Sequence, residues 1–104
     1  MAVYTTEQIS KMIQPVAKQY GMDKVYLFGS YARGDATDSS DIDFYVEFTN
    51  RLGLKFCSFV SDMEQSVGKK VDIITKDGLY NPTTLKSNQL LIKNITRERK
   101  CIYG

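Results

Sequence analysis

Apolar residues at helical spacing dominate the start of the chain. Across residues 9–17 they recur every three or four positions, which predicts an amphipathic helix beginning at Thr5 or the residue after it. Thr5 and Gln8 have the spacing of a capping box, in which each side chain binds the other residue's backbone N–H. Pro15 falls inside the pattern and should kink the helix or start a new segment. Gly21 is the expected end, because glycine adopts the left-handed conformation that closes many helices.

Three short apolar runs between turn signals predict buried strands, at Lys24–Phe28, roughly at Ile42–Phe48, and at Val71–Thr75. Helical patterns separate these runs, so short strands alternate with helices along the chain. The alternation predicts a small α/β fold, in which helices flank a small mixed β-sheet. At this length we expect a single domain over residues 1–104.

The second half of the chain contains two further helical patterns. Residues 52–67 predict a long helix that has Leu54 on its buried side and ends near Gly68. A turn at residues 76–78 should follow the third strand. The last helix is then expected to begin at Thr83 or the residue after it, since either threonine could cap it. The charged tail should end in a short edge strand.

Bulk composition excludes several classes of protein. With 42% hydrophobic and 25% charged residues, the chain is typical of a globular domain rather than a disordered segment. No apolar run approaches the roughly 20 residues of a transmembrane helix, and no basic-then-apolar leader opens the chain, so we expect a cytoplasmic protein. Cys57 and Cys101 are expected to be reduced. The absence of histidine excludes histidine-based catalysis and histidine-containing zinc sites.

The net charge of +2 is divided unevenly along the chain. Residues 1–50 contain four basic and seven acidic side chains, whereas residues 51–104 contain ten basic and five acidic ones. The basic half could attract an anionic ligand or partner, or could simply be a solvated face. We expect neither direct nucleic-acid binding nor membrane binding.

Candidate chemistry concentrates between the first two predicted strands. Gly29 and Ser30 follow the first strand at once, and the next four residues are enough for a helical turn. Free backbone N–H groups at a helix start suit phosphate oxygens. Asp41 and Asp43 stand two apart at the start of the second strand, a spacing that points both side chains to one face. Paired carboxylates can hold Mg²⁺, so the stretch indicates nucleotide chemistry.

Asp72 adds a third carboxylate, in the third predicted strand. It is the only charge within Val71–Thr75, and an unpaired buried carboxylate costs several kcal/mol, so it needs a cation or hydrogen-bond donors. Three strand carboxylates could converge on a pair of divalent ions that bind phosphates and activate an attacking oxygen. The alternative is structural. Asp41 would then be a turn residue, Asp43 would pair with Arg33 or a lysine, and Asp72 would lie on an edge-strand surface.

Together these motifs resemble the nucleotidyltransferases of the DNA polymerase beta superfamily. The resemblance is strongest to the minimal nucleotidyltransferases, which are the antitoxins of HEPN/MNT toxin–antitoxin pairs. It covers nearly the whole chain and implies a polymerase beta-like fold. The motifs that carry it are Gly29-Ser30-Tyr31-Ala32-Arg33-Gly34, Ser40-Asp41-Ile42-Asp43, and Asp72 between Val71 and Ile73.

The family pattern implies a role for each of five residues. Gly29 lets the backbone approach the triphosphate of ATP, and Ser30 donates hydrogen bonds to it from its N–H and hydroxyl. Asp41 and Asp43 bind Mg²⁺, of which two ions are expected. Asp72 binds one of these ions and is a candidate base toward the acceptor hydroxyl. These assignments are what the resemblance implies, and they serve as expectations for the structure.

Three neighbouring residues have roles that the sequence leaves open. Arg33 either binds nucleotide phosphate or forms a structural ion pair that holds the turn. Ser40 is expected to cap or shape the entry to Asp41. Tyr31 is expected to pack in the interior or to contact a partner.

By resemblance, the chain is an ATP- and Mg²⁺-dependent nucleotidyltransferase that transfers AMP to a hydroxyl of a partner protein. The implied partner is a HEPN-domain RNase toxin, which adenylylation would silence. Larger family members hold the acceptor on a second domain, and only about 30 residues follow the third strand here, so the acceptor or another subunit is expected to complete the cleft. Two alternatives remain open. The chain could be an antitoxin that neutralises by contact alone, or a subunit acting on a small molecule that a separate chain holds. Oligomeric state and nucleotide preference also stay open.

Overall fold

The architecture is described for residues 3–104 in a computed structural model. The helices are α1 (Thr6–Gln19), α2 (Ser30–Arg33), α3 (Lys55–Val67), α4 (Lys76–Leu79) and α5 (Gln89–Glu98). The strands are β1 (Lys24–Phe28), β2 (Ile42–Glu47), β3 (Val71–Thr75) and β4 (Lys100–Tyr103). The three predicted strands therefore form within one residue of their expected bounds, and the tail forms the predicted edge strand.

Helix α1 begins and ends where its sequence signals predict. The Thr5 hydroxyl oxygen accepts a hydrogen bond from the Gln8 N–H at 3.1 Å, and the Gln8 side chain accepts one from the Thr5 N–H at 2.8 Å. Gly21 follows the helix with a φ of 68°. Pro15 does not start a new segment, because the helix continues across it. Since Pro15 lies on the exposed face, the carbonyl that loses its N–H partner can bind water instead.

The four strands form one mixed sheet in the order β3–β2–β1–β4. Strand β1 pairs antiparallel with β2 and β4, and β2 pairs parallel with β3. Because β1 runs opposite to β2 and β3, the end of β1 lies at the same end of the sheet as the starts of the other two strands. The motifs that follow the first strand and open the second and third strands therefore meet at one end of the sheet.

Helices cover both faces of the sheet. Helices α1 and α3 bury the larger core on one face, and α4 and α5 cover a smaller apolar cluster on the other. The smaller cluster is centred on the buried residues Phe28, Tyr45, Leu79 and Ile95. Side chains alternate along β2, so Asp43 lies on the face of this smaller cluster.

Over residues 3–104, no helix is long and apolar enough to cross a membrane.

Helices α3 and α4 differ from expectation at their starts. Helix α3 begins at Lys55, and Leu54 is 91% exposed although the periodic pattern placed it on the buried side. Leu54 is the N-cap residue of α3, one position before the helix itself, and its side chain is exposed to solvent. The predicted turn after β3 is instead a single helical turn, α4, in which the Thr75 hydroxyl accepts a hydrogen bond from the Gly78 N–H at 3.0 Å.

Helix α5 begins at Gln89, so the expected start at Thr83 or Thr84 is wrong. The Asn81 side-chain oxygen accepts hydrogen bonds from the Thr83 N–H at 2.9 Å and from the Thr83 hydroxyl at 2.6 Å. Asparagine side chains that bind the backbone two residues later favour turns over helix starts. Thr83 therefore serves a turn and does not cap the helix.

Candidate active site

Strand pairing brings the candidate segments together around Asp43. On one side, Asp43 of β2 lies opposite Phe28, the last residue of β1, and so adjoins Gly29. On the other side, Asp43 lies opposite Asp72 of β3. Neighbouring strands are about 4.8 Å apart, so the Gly-Ser turn and two of the carboxylates share one small surface.

Gly29 packs directly against the Asp43 side chain. Its φ of 74° and ψ of −152° are a conformation that residues with a Cβ rarely adopt. A Cβ added at this position would overlap the Asp43 carboxylate, whose Cγ would lie only 3.1 Å away. Sequence reasoning assigned Gly29 to phosphate binding alone. The structure adds a second reason for glycine, which is the space that the Asp43 carboxylate occupies.

Ser30 begins α2, a single helical turn that closes at Gly34. The Arg33 N–H donates to the Gly29 carbonyl at 3.0 Å, which forms the first turn of the helix. The N–H groups that precede it in α2 have no partner inside the helix. They are therefore donors beside Asp43 for an anionic ligand.

Asp43 is the most perturbed acidic group of the site. Its half-buried side chain has its pKa raised to about 6, first by burial and then by the negative charges of Asp72 and Asp41. Arg33 lowers this pKa and Glu98 raises it, each by a smaller amount. Negative charge is thus concentrated at the point where the Gly-Ser turn meets the carboxylates, as in many functional sites.

Asp72 is exposed, which contradicts the expectation of a buried strand and agrees with the alternative of an edge-strand surface residue. Strand β3 is an edge strand, and Val71 is its one buried residue. The inference that burial forces Asp72 to take a cation is therefore wrong, and its position opposite Asp43 is what connects it to the site. Asp41 is also exposed and lies one residue before β2, so it borders the strand.

The structural alternative supposed that Asp43 pairs with Arg33 or a lysine. Arg33 does not form this pair. Its Nε lies 3.2 Å from Asp35 Oδ2, and its Nη1 lies 3.0 Å from Glu98 Oε1. These contacts tie the end of α2 to the end of α5 and favour the ion-pair role of Arg33. Sequence reasoning missed Glu98, which is 65 residues away in a tail expected to be a turn. Nothing local in the sequence pairs the two residues.

Ser40 shapes the turn that leads into Asp41. Its hydroxyl oxygen accepts a hydrogen bond from the Thr37 N–H at 2.9 Å, and its own N–H donates to the Thr37 carbonyl at 3.0 Å. Both contacts agree with the expected shaping role. Tyr31 is buried in the larger core, as expected for packing.

The three aspartates fit a magnesium ion by their chemistry. Asp41, Asp43 and Asp72 offer the hard oxygen ligands that Mg²⁺ prefers, and the pKa of Asp43 is raised by burial first and then by the charges of Asp72 and Asp41. Within the described part of the chain, no three acidic or cysteine side chains already surround a point where one ion could sit. The fold therefore brings the candidate ligands to one end of the sheet without preassembling them.

A mixed sheet between two helical layers, with a Gly-Ser turn after β1 and carboxylates at β2 and β3, defines a polymerase beta-like nucleotidyltransferase. The nucleotidyltransferase domain family matches residues 9–102. MntA, a protein adenylyltransferase of Thermococcus cleftensis, is 32% identical over 84 residues, which cover 76% of this chain and 85% of MntA. A relative from Methanocaldococcus jannaschii, provisionally named a protein adenylyltransferase, is 42% identical over 72 residues, which cover 66% of this chain and 72% of the relative. This chain belongs to the nucleotidyltransferase domain family.

Solved structures agree with this family and fold. One described as a minimal nucleotidyltransferase covers 96% of this chain and 98% of its own, with a TM-score of 0.72 and 27% identity. A toxin–antitoxin complex with AMP-PNP covers 91% of this chain and 73% of its own, with a TM-score of 0.70 and 21% identity. The tri-AMPylated HEPN toxin of Shewanella oneidensis in complex with its MNT antitoxin covers 96% and 73%, with a TM-score of 0.66 and 17% identity. At these identities the two complexes show a shared fold. The predicted fold and the resemblance to nucleotidyltransferases are confirmed.

Proposed function

We propose that this chain transfers AMP from ATP to a hydroxyl of a partner protein, with Mg²⁺ as cofactor. The observation that carries the proposal is the packing of Gly29 against Asp43, which brings the Gly-Ser turn, our candidate for phosphate binding, beside the candidate metal ligands. A protein acceptor is supported by the relatives, which are named protein adenylyltransferases. ATP is supported by the AMP-PNP in a complex of the same fold.

The residues at the end of β1 bind the nucleotide in this proposal. The Ser30 N–H and hydroxyl donate to triphosphate oxygens, and the missing side chain of Gly29 lets those oxygens approach the backbone. Arg33 lies at the other end of the same helical turn and is engaged by Asp35 and Glu98. We therefore assign it to holding α2 in place, and its predicted contact with phosphate remains untested.

Asp41, Asp43 and Asp72 would hold the magnesium, with two ions expected. When bound, Mg²⁺ neutralises phosphate charge and so favours displacement at phosphorus. The three carboxylates have complementary positions for this task. Asp43 is half-buried and packs against Gly29, whereas Asp41 and Asp72 are exposed and accessible to a ligand.

The transfer itself exchanges one bond to phosphorus for another. The acceptor hydroxyl oxygen bonds to the α-phosphorus of ATP, the bond from that phosphorus to the bridging oxygen breaks, and pyrophosphate leaves. The hydroxyl proton passes to a carboxylate, for which Asp72 is the candidate. Asp72 suits this role because it lies exposed on edge strand β3, where a macromolecular acceptor can approach.

The partner that we propose is a HEPN-domain toxin, which the added AMP would silence. Support comes from the shared fold with an MNT antitoxin that was solved together with a tri-AMPylated HEPN toxin. On this proposal the present chain is the antitoxin. Its site is an open surface at one end of the sheet, so the toxin itself would complete the cleft.

Co-expression with a HEPN-domain toxin from the same genome, followed by intact-mass measurement of the toxin, tests the proposal. We expect the wild type to add one or more AMP units and Asp41→Asn or Asp43→Asn to add none. Loss of one ligand carboxylate should lower the rate roughly 100-fold or more. Asp38→Asn, exposed in the same connection, is the matched control and should modify the toxin as the wild type does.

The remaining outcomes discriminate the alternatives. If the Asn variants protect cells as well as the wild type while the toxin mass stays unmodified, neutralisation is by contact and the enzyme proposal is wrong. If AMP appears only on a small hydroxyl compound, and only with a second protein present, the chain is a subunit of a small-molecule nucleotidyltransferase.

A further inference from the structure

One ammonium group joins the segments that carry the candidate site. Lys69 Nζ donates to the Tyr31 hydroxyl oxygen at 2.9 Å and to the Asp38 carbonyl oxygen at 2.9 Å. Lys69 lies between α3 and β3, whereas its two partners lie in α2 and in the connection from α2 to β2. These contacts span 38 and 31 residues of sequence, so they fix tertiary structure and not a local turn.

The contacts of Lys69 with Tyr31 and Asp38 form what we call the Lys69 bridge. Each end of this bridge is close to a candidate site residue. In α2, Tyr31 directly follows the serine assigned to phosphate. In the connection, Asp38 lies three residues before Asp41. On the way into β3, Lys69 itself lies three residues before Asp72. The bridge therefore spans the phosphate turn and the approaches to both exposed carboxylates.

The Lys69 bridge connects a buried side chain, that of Tyr31, to an exposed connection, residues 37–39. Tyr31 is only 6% exposed and packs in the larger core, so its buried ring holds the hydroxyl in place. Residues 37–39 are exposed, and the Lys69 ammonium binds their backbone at Asp38. The ammonium also lies 5.4 Å from the centre of the Tyr31 ring, which is within the range of a cation–π contact, so the ring and its hydroxyl both contact it.

Lysine suits this position because its ammonium has three donors and no acceptor. Both of its partners are neutral oxygens, so the bonds are charge-assisted without being ion pairs, and they depend on geometry. The neighbouring Lys70 contributes differently. Its carbonyl accepts a hydrogen bond from the Ile42 N–H at 3.2 Å, while its side chain is exposed.

We propose that Lys69 is a positioning residue for the nucleotide and metal site. By holding Asp38 and Tyr31 at fixed distances, it sets where Asp41 and the phosphate turn stand relative to β3. The proposal rests on the proposed function, because it requires the site to bind nucleotide. In this proposal Lys69 acts through its two protein partners, the Tyr31 hydroxyl and the Asp38 carbonyl.

Lys69→Met tests this role, since methionine keeps the apolar stem and removes the ammonium. The probe is ATP with MgCl₂, and the measurement is the dissociation constant by calorimetry, well below the melting temperature. We expect binding to weaken about tenfold, which corresponds to about 1.4 kcal/mol. Lys70→Met is the matched control and should bind within about twofold of the wild type. Lys69→Arg, which restores a cationic donor, should recover part of the loss.

Hydrogen–deuterium exchange provides a readout that does not depend on nucleotide. In Lys69→Met, exchange should rise in residues 35–42 and in α2 and remain unchanged in α1, whereas Lys70→Met should match the wild type throughout. If Lys69→Met fails to fold, Tyr31→Phe replaces it, because phenylalanine keeps the buried ring and removes one acceptor. A smaller loss of ATP affinity is expected for this variant.

The outcomes separate this inference from the proposed function. If the wild type binds ATP with Mg²⁺ and folded Lys69→Met binds equally well, the positioning role is overturned, even where the variant melts at a lower temperature. A lowered melting temperature alone would indicate a purely structural lysine. If the wild type itself does not bind ATP with Mg²⁺, the proposed function is wrong and the positioning role is overturned with it.

Discussion

Replacing Asp43 by asparagine should stabilise the metal-free protein at neutral pH, although it removes a residue assigned to the site. The folded-state pKa of Asp43 is raised from its ordinary value of 3.8 to about 6, by burial and by Asp72 and Asp41. A raised pKa means that the folded state favours the protonated carboxyl. The resulting stabilisation is complete below about pH 4 and is lost as the pH rises through about 6. Asparagine, which stays neutral, should not lose it.

The magnitude follows from the same pKa. A rise from 3.8 to about 6 corresponds to about 3 kcal/mol between the charged and neutral forms of a fully shielded group. The Asp43 carboxyl is half exposed, so solvent screening reduces the expected gain to about 1–1.5 kcal/mol. For a domain of this size, that gain raises the melting temperature by about 4–8 °C. The gain should appear at pH 8 and vanish near pH 4.

The assay is thermal unfolding in EDTA from pH 4 to pH 8, with Asp38→Asn as the exposed control that should follow the wild type. A second series adds MgCl₂ and ATP, which should stabilise the wild type more than either ligand alone and should stabilise Asp43→Asn little. The reasoning is refuted if Asp43→Asn is no more stable than the wild type at pH 8. It is equally refuted if the difference persists unchanged at pH 4.

Two further substitutions test the surroundings of Asp43. Gly29→Val should abolish ATP binding and lower stability, because its side chain would displace the Asp43 carboxylate, whereas Gly34→Ala, which shares a positive φ but has no atom within 4 Å of the added Cβ, should still bind ATP in calorimetry. Normal ATP binding by Gly29→Val would contradict the assignment. Arg33→Gln should lower the melting temperature by a few degrees and change the ATP dissociation constant less than about threefold, because Arg33 is held in ion pairs with Asp35 and Glu98. A loss of affinity with unchanged melting would instead assign Arg33 to phosphate.

The parts of the fold that were predictable from sequence are those set by local interactions. The capping box of α1 needs only Thr5 and Gln8, and both of its hydrogen bonds are present. The strands were predictable because short apolar runs lie between turn residues. The antiparallel pairing of β1 with β2 then brings the Gly-Ser turn to Asp43. The family resemblance supplied the roles, which remain predictions.

The predictions that were wrong concern features that depend on which other segments pack against a given stretch of chain. An apolar run such as Val71–Thr75 looks the same in a central strand and in an edge strand, so the sequence alone could not decide between a buried Asp72 and the edge-strand alternative. Thr83 has the chemistry of a helix cap, but Asn81 engages it in a turn. Lys69 was overlooked for the same reason, because its partners are 31 and 38 residues away.

The two strand aspartates, Asp43 and Asp72, differ in environment because of their positions in the sheet and not because of their residue type. Asp43 lies on an inner strand, between β1 and β3, where its side chain packs against Gly29 and burial makes its charge costly. A costly charge on this carboxylate favours a bound cation, because the ion offsets the cost. Asp72 lies on the edge strand and is exposed to solvent. On the proposed function, Asp72 takes the proton of the arriving hydroxyl, so the acceptor protein should approach from the β3 side of the sheet.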